Sequence, residues 1–216
     1  MSRIDTVNKI IQEGIVAILR LNKEAGALAI VDALQAGGIQ ALEITVGTPG
    51  ALRLIETIRE TYPHVLIGAG SVLDSVMAQT VIRAGAQFLV TPVSRKNVIQ
   101  MAHRYDVPIF SGAFSPGEIL TAFEQGADVV KLFPAEILGI PFLKAIKAPM
   151  PQLQVMPTGG VTVDNVGDWL RAGACAVGIG GALTDGHEIE SGHHLWLTER
   201  AILFCEQVRQ ARQKTS

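Results

Sequence analysis

The chain has 216 residues, of which 48% are apolar and 18% are charged, and its formal net charge at pH 7 is −2. This composition predicts one globular domain with a sizeable core, spanning residues 1–216. The weak net charge and the 5% aromatic content argue against nucleic acid or an anionic membrane surface as partners. No apolar run is long enough to span a bilayer.

The N-terminal segment predicts a helix and not a targeting signal. Residues 4–12 are amphipathic and too polar for a signal peptide, and we expect this extra helix to cover the bottom of the fold. The two cysteines, Cys175 and Cys205, lack the spacing of a metal or redox site. We interpret them as reduced thiols of a cytoplasmic protein.

One pattern then recurs along the chain, in which a helical stretch ends in glycine and a short apolar strand follows. The glycines of this pattern are Gly38, Gly85, Gly126 and Gly173. Each suits the left-handed conformation found at helix C-termini. Four further apolar segments resemble strands without this lead-in. The predicted strands are 15–20, 41–46, 65–70, 88–92, 108–113, 129–134, 154–159 and 176–181.

Eight strand–helix units in a chain of this length predict an α/β fold, specifically a (β/α)8 TIM barrel with an extra N-terminal helix. Residues 198–212 are predicted to form the last outer helix. A doubly wound open sheet is the alternative. The barrel is preferred because no GxGxxG fingerprint follows the first strand and because eight strand–helix units are the number that closes such a barrel.

A lysine interrupts the sixth apolar strand. Because strand side chains alternate, Val129, Lys131 and Phe133 share one face. If helices cover both faces of the sheet, the amine points into a packed interior, where an unpaired charge is costly. A buried amine that gives up its proton is a nucleophile able to form a Schiff base. A lysine that reaches solvent or pairs with a carboxylate is the alternative for this segment.

Polar residues collect at the carboxyl ends of the other predicted strands, where barrel enzymes hold their chemistry. Glu43 faces inward on the second strand and is expected to meet Lys131 at the same mouth. Alone, Glu43 is equally well explained as a structural ion-pair partner, but together with an inward lysine it favours catalysis. The remaining polar strand ends include Arg20, Ser71 and Thr158.

Glycine pairs follow the last two strands, at Gly159–Gly160 and Gly180–Gly181. Loops at these positions of a barrel bind phosphate through backbone N–H groups and a helix N-terminus. Thr162 or Asp164 is predicted to cap the helix after the first pair. Tight turning of the chain is the alternative role of these glycines.

These motifs, in this order, resemble the pyruvate-dependent class I aldolases that cleave 2-keto-3-deoxy-6-phosphogluconate (KDPG) and 4-hydroxy-2-oxoglutarate (KHG). The resemblance extends over residues 14–183. It rests on Val16-Ala17-Ile18-Leu19-Arg20, Leu42-Glu43-Ile44-Thr45, Gly68-Ala69-Gly70-Ser71-Val72-Leu73, Gly85-Ala86-Gln87-Phe88, Lys131-Leu132-Phe133-Pro134-Ala135-Glu136 and Pro157-Thr158-Gly159-Gly160-Val161.

The resemblance implies that Lys131 forms an imine with the C2 carbonyl of the substrate and that Glu43 shuttles protons. It implies neither a metal nor an organic cofactor. The expected partners are a small 2-keto acid and further copies of the chain in a homotrimer. The residues implied to line the pyruvate pocket are Ser71, Pro92, Phe133 and Thr158, and the two glycine pairs are implied to hold a distal phosphate.

The expected reaction splits KDPG into pyruvate and glyceraldehyde 3-phosphate. KHG, which gives pyruvate and glyoxylate, is the expected second substrate. A non-phosphorylated or galactonate-type 2-keto-3-deoxy acid remains the alternative.

Two positions depart from the family pattern. Some members carry, four residues after the glutamate of strand two, an arginine that contacts the substrate carboxylate; here the residue is Gly47. Arg20, at a position where related aldolases have arginine, is the expected replacement. Some members carry a serine after the strand-eight glycine pair, near the phosphate. Here it is Ala182, so either backbone amides alone bind the phosphate or the substrate lacks one.

Two other classes of function fit the sequence less well. A metal-dependent aldolase or epimerase needs ligands that converge at strand ends, and none of the five histidines falls on one. A non-catalytic sugar-phosphate sensor has no need of a buried lysine. The histidines are His64, His103, His187, His193 and His194.

Overall fold

The computed structural model describes residues 1–213, so residues 214–216 of the predicted domain lie outside the described part. Within it, parallel strands alternate with helices. The strands are β1 (Ile15–Leu19), β2 (Ala41–Thr45), β3 (Leu66–Gly70), β4 (Phe88–Val90), β5 (Ile109–Ala113), β6 (Val129–Leu132), β7 (Val155–Pro157) and β8 (Val177–Ile179). The helices are α1 (Arg3–Glu13), α2 (Ala27–Ala36), α3 (Ala51–Thr61), α4 (Ser75–Arg83), α5 (Lys96–Arg104), α6 (Pro116–Glu124), α7 (Ala135–Lys147), α8 (Val166–Arg171), α9 (Gly186–Glu190) and α10 (His194–Gln213).

The strands form one sheet in the order β7-β6-β5-β4-β3-β2-β1-β8. The two ends of this order meet at a single parallel bridge, Thr158 to Gly178, which brings β7 beside β8. The sheet therefore curls into a nearly closed barrel, and the predicted (β/α)8 architecture is confirmed. The seam between β7 and β8 is its least paired junction.

Two separate apolar layers follow from the alternation of side chains along each strand. The larger layer lies between the strands and the outer helices and includes Leu42, Ile44 and Leu132. The smaller fills the barrel below its mouth and contains Val16, Ala41, Leu66, Phe88, Val90, Phe110, Val129, Met156 and Ala176. Ile10 of α1 joins this inner cluster, so the extra helix does close the barrel bottom, as predicted.

The glycines that were predicted to end helices adopt the expected conformation. Gly38, Gly85, Gly126 and Gly173 have φ angles of 97°, 101°, 98° and 101°. An L-residue with a side chain is strained in this region, so these glycines let each helix end abruptly before the next strand. This is why the sequence repeat is visible.

The bounds of several elements differ from prediction. Strands β4 and β6 end at Val90 and Leu132, before the prolines Pro92 and Pro134, because proline cannot donate to the ladder. The last helix begins at His194, a turn earlier than predicted.

The predicted cap of the helix after Gly160 is wrong. Helix α8 begins only at Val166, and its N-cap is Asn165 and neither Thr162 nor Asp164. The Asn165 side chain instead braces the preceding loop, accepting from the Thr162 N–H at 2.9 Å and donating to the Gly160 carbonyl at 2.8 Å. The intervening loop therefore separates the glycine pair from any helix N-terminus.

Candidate active site

Lys131 lies in the barrel interior at the carboxyl end of β6. It pairs in register with Gly112 on β5 and Met156 on β7, and its side chain is 6% exposed. The predicted inward orientation is confirmed, because Val129 on the same face belongs to the inner cluster. Within residues 1–213 the amine forms no salt bridge. The Phe133 ring lies beside it, with its centroid 5.1 Å from Nζ.

Glu43 enters the same interior from β2 and is 1% exposed. Its carboxylate lies over Gly70 of the adjacent strand, and a β-carbon at Gly70 would overlap Oε1. Its other oxygen, Oε2, is buried and has no hydrogen-bond partner in the described chain. Sequence reasoning missed Gly70, although strand alternation places it on the inward face beside the glutamate.

Burial controls the ionisation of Glu43. Desolvation raises the pKa of this carboxyl above its usual range, and the positive charges of Lys131 and Arg20 oppose that rise. The charge of Lys131 is thus felt by the carboxyl. An acid whose pKa is raised in this way is suited to both giving and accepting a proton near neutral pH.

Arg20 stands at the end of β1, exposed at the mouth. The next residue is tied to the neighbouring loop, because the Leu21 N–H donates to Thr48 Oγ1 at 3.2 Å. Thr48 Oγ1 in turn lies 3.2 Å from Thr45 Oγ1, and both threonines are buried. Gly47 is exposed in the same turn. Two buried hydroxyls therefore hold the backbone beside Arg20, a role that the sequence analysis assigned to neither threonine.

Thr158 supplies a further polar atom to the interior. Its Oγ1 is buried and has no hydrogen-bond partner among residues 1–213. Gly178 across the seam makes room for it, since a β-carbon there would overlap this oxygen. An unpartnered buried hydroxyl is unfavourable unless a ligand or water completes it.

The remaining predicted pocket residues lie around the mouth. Ser71 follows β3 with a φ of 61° and is half-buried. Phe133 is 37% exposed. Pro92 is half-buried, and its carbonyl group packs where a Gly112 side chain would stand. A cavity of about 620 Å³, lined in part by Pro92, Gly112 and Phe133, adjoins the mouth on this side.

The two glycine loops present unused backbone donors. Gly159 and Gly160 have φ angles of 95° and 68°, and within the described chain the Gly160 N–H donates no hydrogen bond. The same holds for Gly181. Successive N–H groups of this kind form an anion-binding concavity.

The expected helix N-terminus does not accompany these loops. Helix α8 begins at Val166, and the N-terminus of α9 is occupied by the Asp185 carboxylate, which accepts from the His187 and Glu188 N–H groups. The Glu136 side chain packs against Gly159 and Gly160. Any anion at the first loop would therefore lie near a carboxylate.

The other candidate groups are remote from this mouth or inert. No three His, Cys, Asp or Glu side chains of residues 1–213 come together as a metal site requires. Both cysteines are free thiols, and burial raises the pKa of Cys175 to about 12. In the part of the chain that the structure describes, no helix has the length and apolar character needed to cross a membrane.

Comparisons of the sequence and the structure with known proteins indicate the same family. Residues 6–198 match the family model described as KDPG and KHG aldolase. The chain is 41% identical to the 2-dehydro-3-deoxy-phosphogluconate aldolase of Pseudomonas aeruginosa over 170 residues, which is 78% of this chain and 76% of the relative. It is 34% identical to the 2-dehydro-3-deoxy-6-phosphogalactonate aldolase of Escherichia coli K12 over 200 residues, 91% and 95% of the two chains.

A solved structure shares the fold. KDPG aldolase from Legionella pneumophila, with pyruvate captured at low pH as a covalent carbinolamine, superposes with a TM-score of 0.84. It is 31% identical, and the match covers 91% of this chain and 96% of that one.

We predict that Glu43→Gln stabilises the fold at neutral pH. Because the pKa of Glu43 is raised on folding, this group contributes fully to the free energy of unfolding in acid, and the contribution is lost as pH rises through the raised pKa. The glutamine amide does not ionise, so the variant keeps its unfolding free energy as pH rises. The gain in unfolding free energy, about 1.4 kcal/mol per unit of pKa shift, should appear in urea denaturation at about pH 8 and shrink at about pH 4.

Glu56→Gln on the exposed face of α3 is the matched control and should show no such pH-dependent gain. Equal effects of the two substitutions at both pH values would contradict the assignment of a raised pKa to Glu43.

Proposed function

Since this chain belongs to the KDPG and KHG aldolase family and is a Schiff-base aldolase, we propose that it cleaves KDPG into pyruvate and glyceraldehyde 3-phosphate. The observation that carries the proposal is the convergence of three buried polar residues, Lys131, Glu43 and Thr158, at one mouth. Within residues 1–213, Oε2 of Glu43 and Oγ1 of Thr158 have no hydrogen-bond partner, and the amine of Lys131 forms no salt bridge. Together they supply a nucleophile, a proton carrier and a hydrogen-bond donor.

In the proposed mechanism Lys131 attacks the C2 carbonyl of the substrate as the neutral amine. Glu43 donates a proton to the carbinolamine hydroxyl, which leaves as water and produces an iminium ion. The carboxylate then removes the proton of the C4 hydroxyl, and the C3–C4 bond breaks. Its electron pair enters the iminium to give an enamine, and C4 becomes the aldehyde carbon of glyceraldehyde 3-phosphate, which is released. Return of the proton to C3 and hydrolysis of the imine release pyruvate.

The same geometry favours this division of roles. The Lys131 amine lies in the barrel interior and forms no salt bridge within residues 1–213, so no carboxylate contact has to be broken before it attacks a carbonyl. A carboxyl whose pKa is raised by burial holds a proton more readily than an exposed one, which suits a group that must donate a proton and take one back. Glu43→Gln cannot transfer protons, so we expect its turnover to fall by about 10² to 10⁴.

Covalent capture tests the role of Lys131. Incubation with pyruvate and borohydride should add one reduced pyruvyl group to this residue, because reduction traps the imine. Peptide mass mapping locates the adduct, and Lys131→Met is the control that should remain unlabelled. An adduct on Lys96 or Lys144, or on no lysine, would refute the Schiff-base assignment.

Arg20 is proposed to bind the substrate carboxylate. It is exposed at the mouth, forms no salt bridge within residues 1–213 and is close enough for its charge to act on Glu43. Gly47 offers no side chain for this purpose. Arginine suits the role because its guanidinium matches the two oxygens of a carboxylate.

Arg20→Met should raise KM for 2-keto acid substrates by about tenfold or more, which corresponds to loss of one charge-assisted hydrogen bond. Initial-rate kinetics measure this, with Arg83→Met on the exposed surface of α4 as the control. An unchanged KM with a displaced pH profile would show that Arg20 serves only to tune Glu43.

Binding of a distal phosphate is proposed at the two glycine loops. Their free N–H groups support it, since a phosphate dianion is held well by several backbone donors. The Glu136 carboxylate and the methyl group of Ala182 act against it. We propose that the backbone donors prevail and that KHG, which has no phosphate, is cleaved less efficiently.

Comparison of kcat/KM for four substrates tests this order. KDPG should exceed its dephosphorylated form by about tenfold or more, from charged hydrogen bonds of about 1.5–3 kcal/mol. KHG and 2-keto-3-deoxy-6-phosphogalactonate complete the set, the latter because a relative named for it aligns over most of this chain. No preference for the phosphorylated sugar acid would remove the phosphate from the proposal.

A homotrimer is proposed as the assembly. Beyond the family resemblance, large exposed apolar side chains occur in the segments that follow β3 to β6, namely Leu73, Val76, Val93, Phe114 and Ile137. Exposed apolar patches mark association surfaces. Sedimentation equilibrium should report three times the 23.0 kDa chain mass, and a monomer at micromolar concentration would contradict the proposal.

A further inference from the structure

Arg200 on α10 lies behind the second glycine loop. Its Nε donates to the Ala182 carbonyl at 3.3 Å. The guanidinium lies over two rings, 5.5 Å from the centroid of Trp196 and 6.0 Å from that of Phe204. The residue is half-buried, yet within residues 1–213 it pairs with no carboxylate. Its positive charge is therefore not neutralised by a neighbouring acid.

The contact with Ala182 begins a chain of hydrogen bonds through the loop. The N–H of the same peptide group, that of Leu183, donates to the Gly180 carbonyl at 2.8 Å. The Thr184 N–H donates to the same carbonyl at 2.9 Å. Thr184 Oγ1 fastens the loop to β1 by donating to the Ile18 carbonyl at 2.8 Å. Hydrogen bonds in such a chain polarise and strengthen one another.

These hydrogen bonds leave backbone N–H groups of the loop without an acceptor. Within the described chain, the N–H groups of Gly181 and Ala182 donate to no acceptor. Gly181 is exposed, and nothing within 4 Å would touch a side chain there. The loop is thus fixed through its carbonyls while its N–H groups remain available.

We propose that Arg200 is a positioning residue for the phosphate end of the substrate. It holds the 180–184 loop so that the N–H groups of Gly181 and Ala182 can bind an anion, and it adds a positive charge behind them. The inference rests on the proposed function and explains how Ala182, which has no hydroxyl, is compatible with it. Arg200 does not touch the reacting atoms at Lys131 or Glu43.

The charge contributes because it is partly shielded from water. An arginine between aromatic rings and a carbonyl is less screened than one in solvent. A dianionic group at the loop gains from this field, whereas a neutral hydroxyl does not. Removal of the charge should therefore weaken phosphorylated substrates selectively.

The test is Arg200→Met, which keeps the aliphatic contact with the rings and removes the charge and the donor. For the variant and the wild type, kcat/KM is measured with KDPG and with its dephosphorylated form. We expect KM for KDPG to rise about tenfold while the dephosphorylated substrate is unaffected. Exchange of pyruvate methyl protons in heavy water, which needs no phosphate, should proceed at the wild-type rate.

Arg209→Met is the matched control, since this arginine lies on the same helix, is exposed, and borders a different cavity. It should leave the phosphate preference unchanged. If Arg200→Met does not fold, Arg200→Lys replaces it, with a smaller loss of preference expected because the charge is retained. A full wild-type preference in the variant would overturn the inference.

Two other outcomes also overturn it. Equal losses with both sugar acids, together with slowed proton exchange, would mean that Arg200 supports the fold in general and not the phosphate. A wild type without any phosphate preference would refute the phosphate-binding part of the proposed function, and this inference with it. If the wild type prefers the phosphorylated substrate and Arg200→Met keeps that preference, only the positioning role of Arg200 is refuted.

Discussion

The burial of ionisable groups inside the barrel is the constraint on which the rest of the site depends. Lys131 and Glu43 enter from β6 and β2 and are largely removed from water, and for Glu43 this desolvation disfavours the charged form of the carboxyl. Placing them there requires an enclosed interior, which only a curled sheet covered by helices provides. For Glu43, this burial raises the pKa of the carboxyl.

Space for these groups comes from the absence of side chains on neighbouring strands. Gly70 accommodates the Glu43 carboxylate, Gly178 accommodates Thr158, and Gly112 accommodates the backbone of Pro92. Below this level the inner cluster is filled by larger residues such as Phe88 and Phe110. The interior therefore changes from apolar side chains at the bottom to the polar side chains of Lys131, Glu43 and Thr158 at the mouth.

The seam between β7 and β8 has a different role. Only the bridge from Thr158 to Gly178 joins these strands in the described chain, and both glycine loops follow directly. Because short strands leave the loops few ladder bonds, side chains from elsewhere must fix them. Asn165 braces the first loop, and Arg200 of α10 the second.

Much of this was accessible from the sequence, for reasons of periodicity. Strand alternation alone placed Lys131 and Glu43 inward, helix-ending glycines such as Gly85 marked the repeating unit, and eight such units predicted a closed barrel. These features are local, because backbone conformation and side-chain alternation depend on neighbours along the chain. The resemblance of the lysine and glycine motifs to a known family then supplied the expected chemistry.

Only the tertiary structure decided which distant residues complete the site. Thr48 approaches Leu21, Arg200 approaches Ala182, and Glu136 packs against Gly160, all through contacts that no periodic pattern encodes. The missing helix N-terminus after Gly160 is of the same kind, because a braced loop competed with the cap that the local residues predicted. Contacts between segments far apart in sequence arise from packing and closure of the whole barrel, so they appear only once the chain is folded.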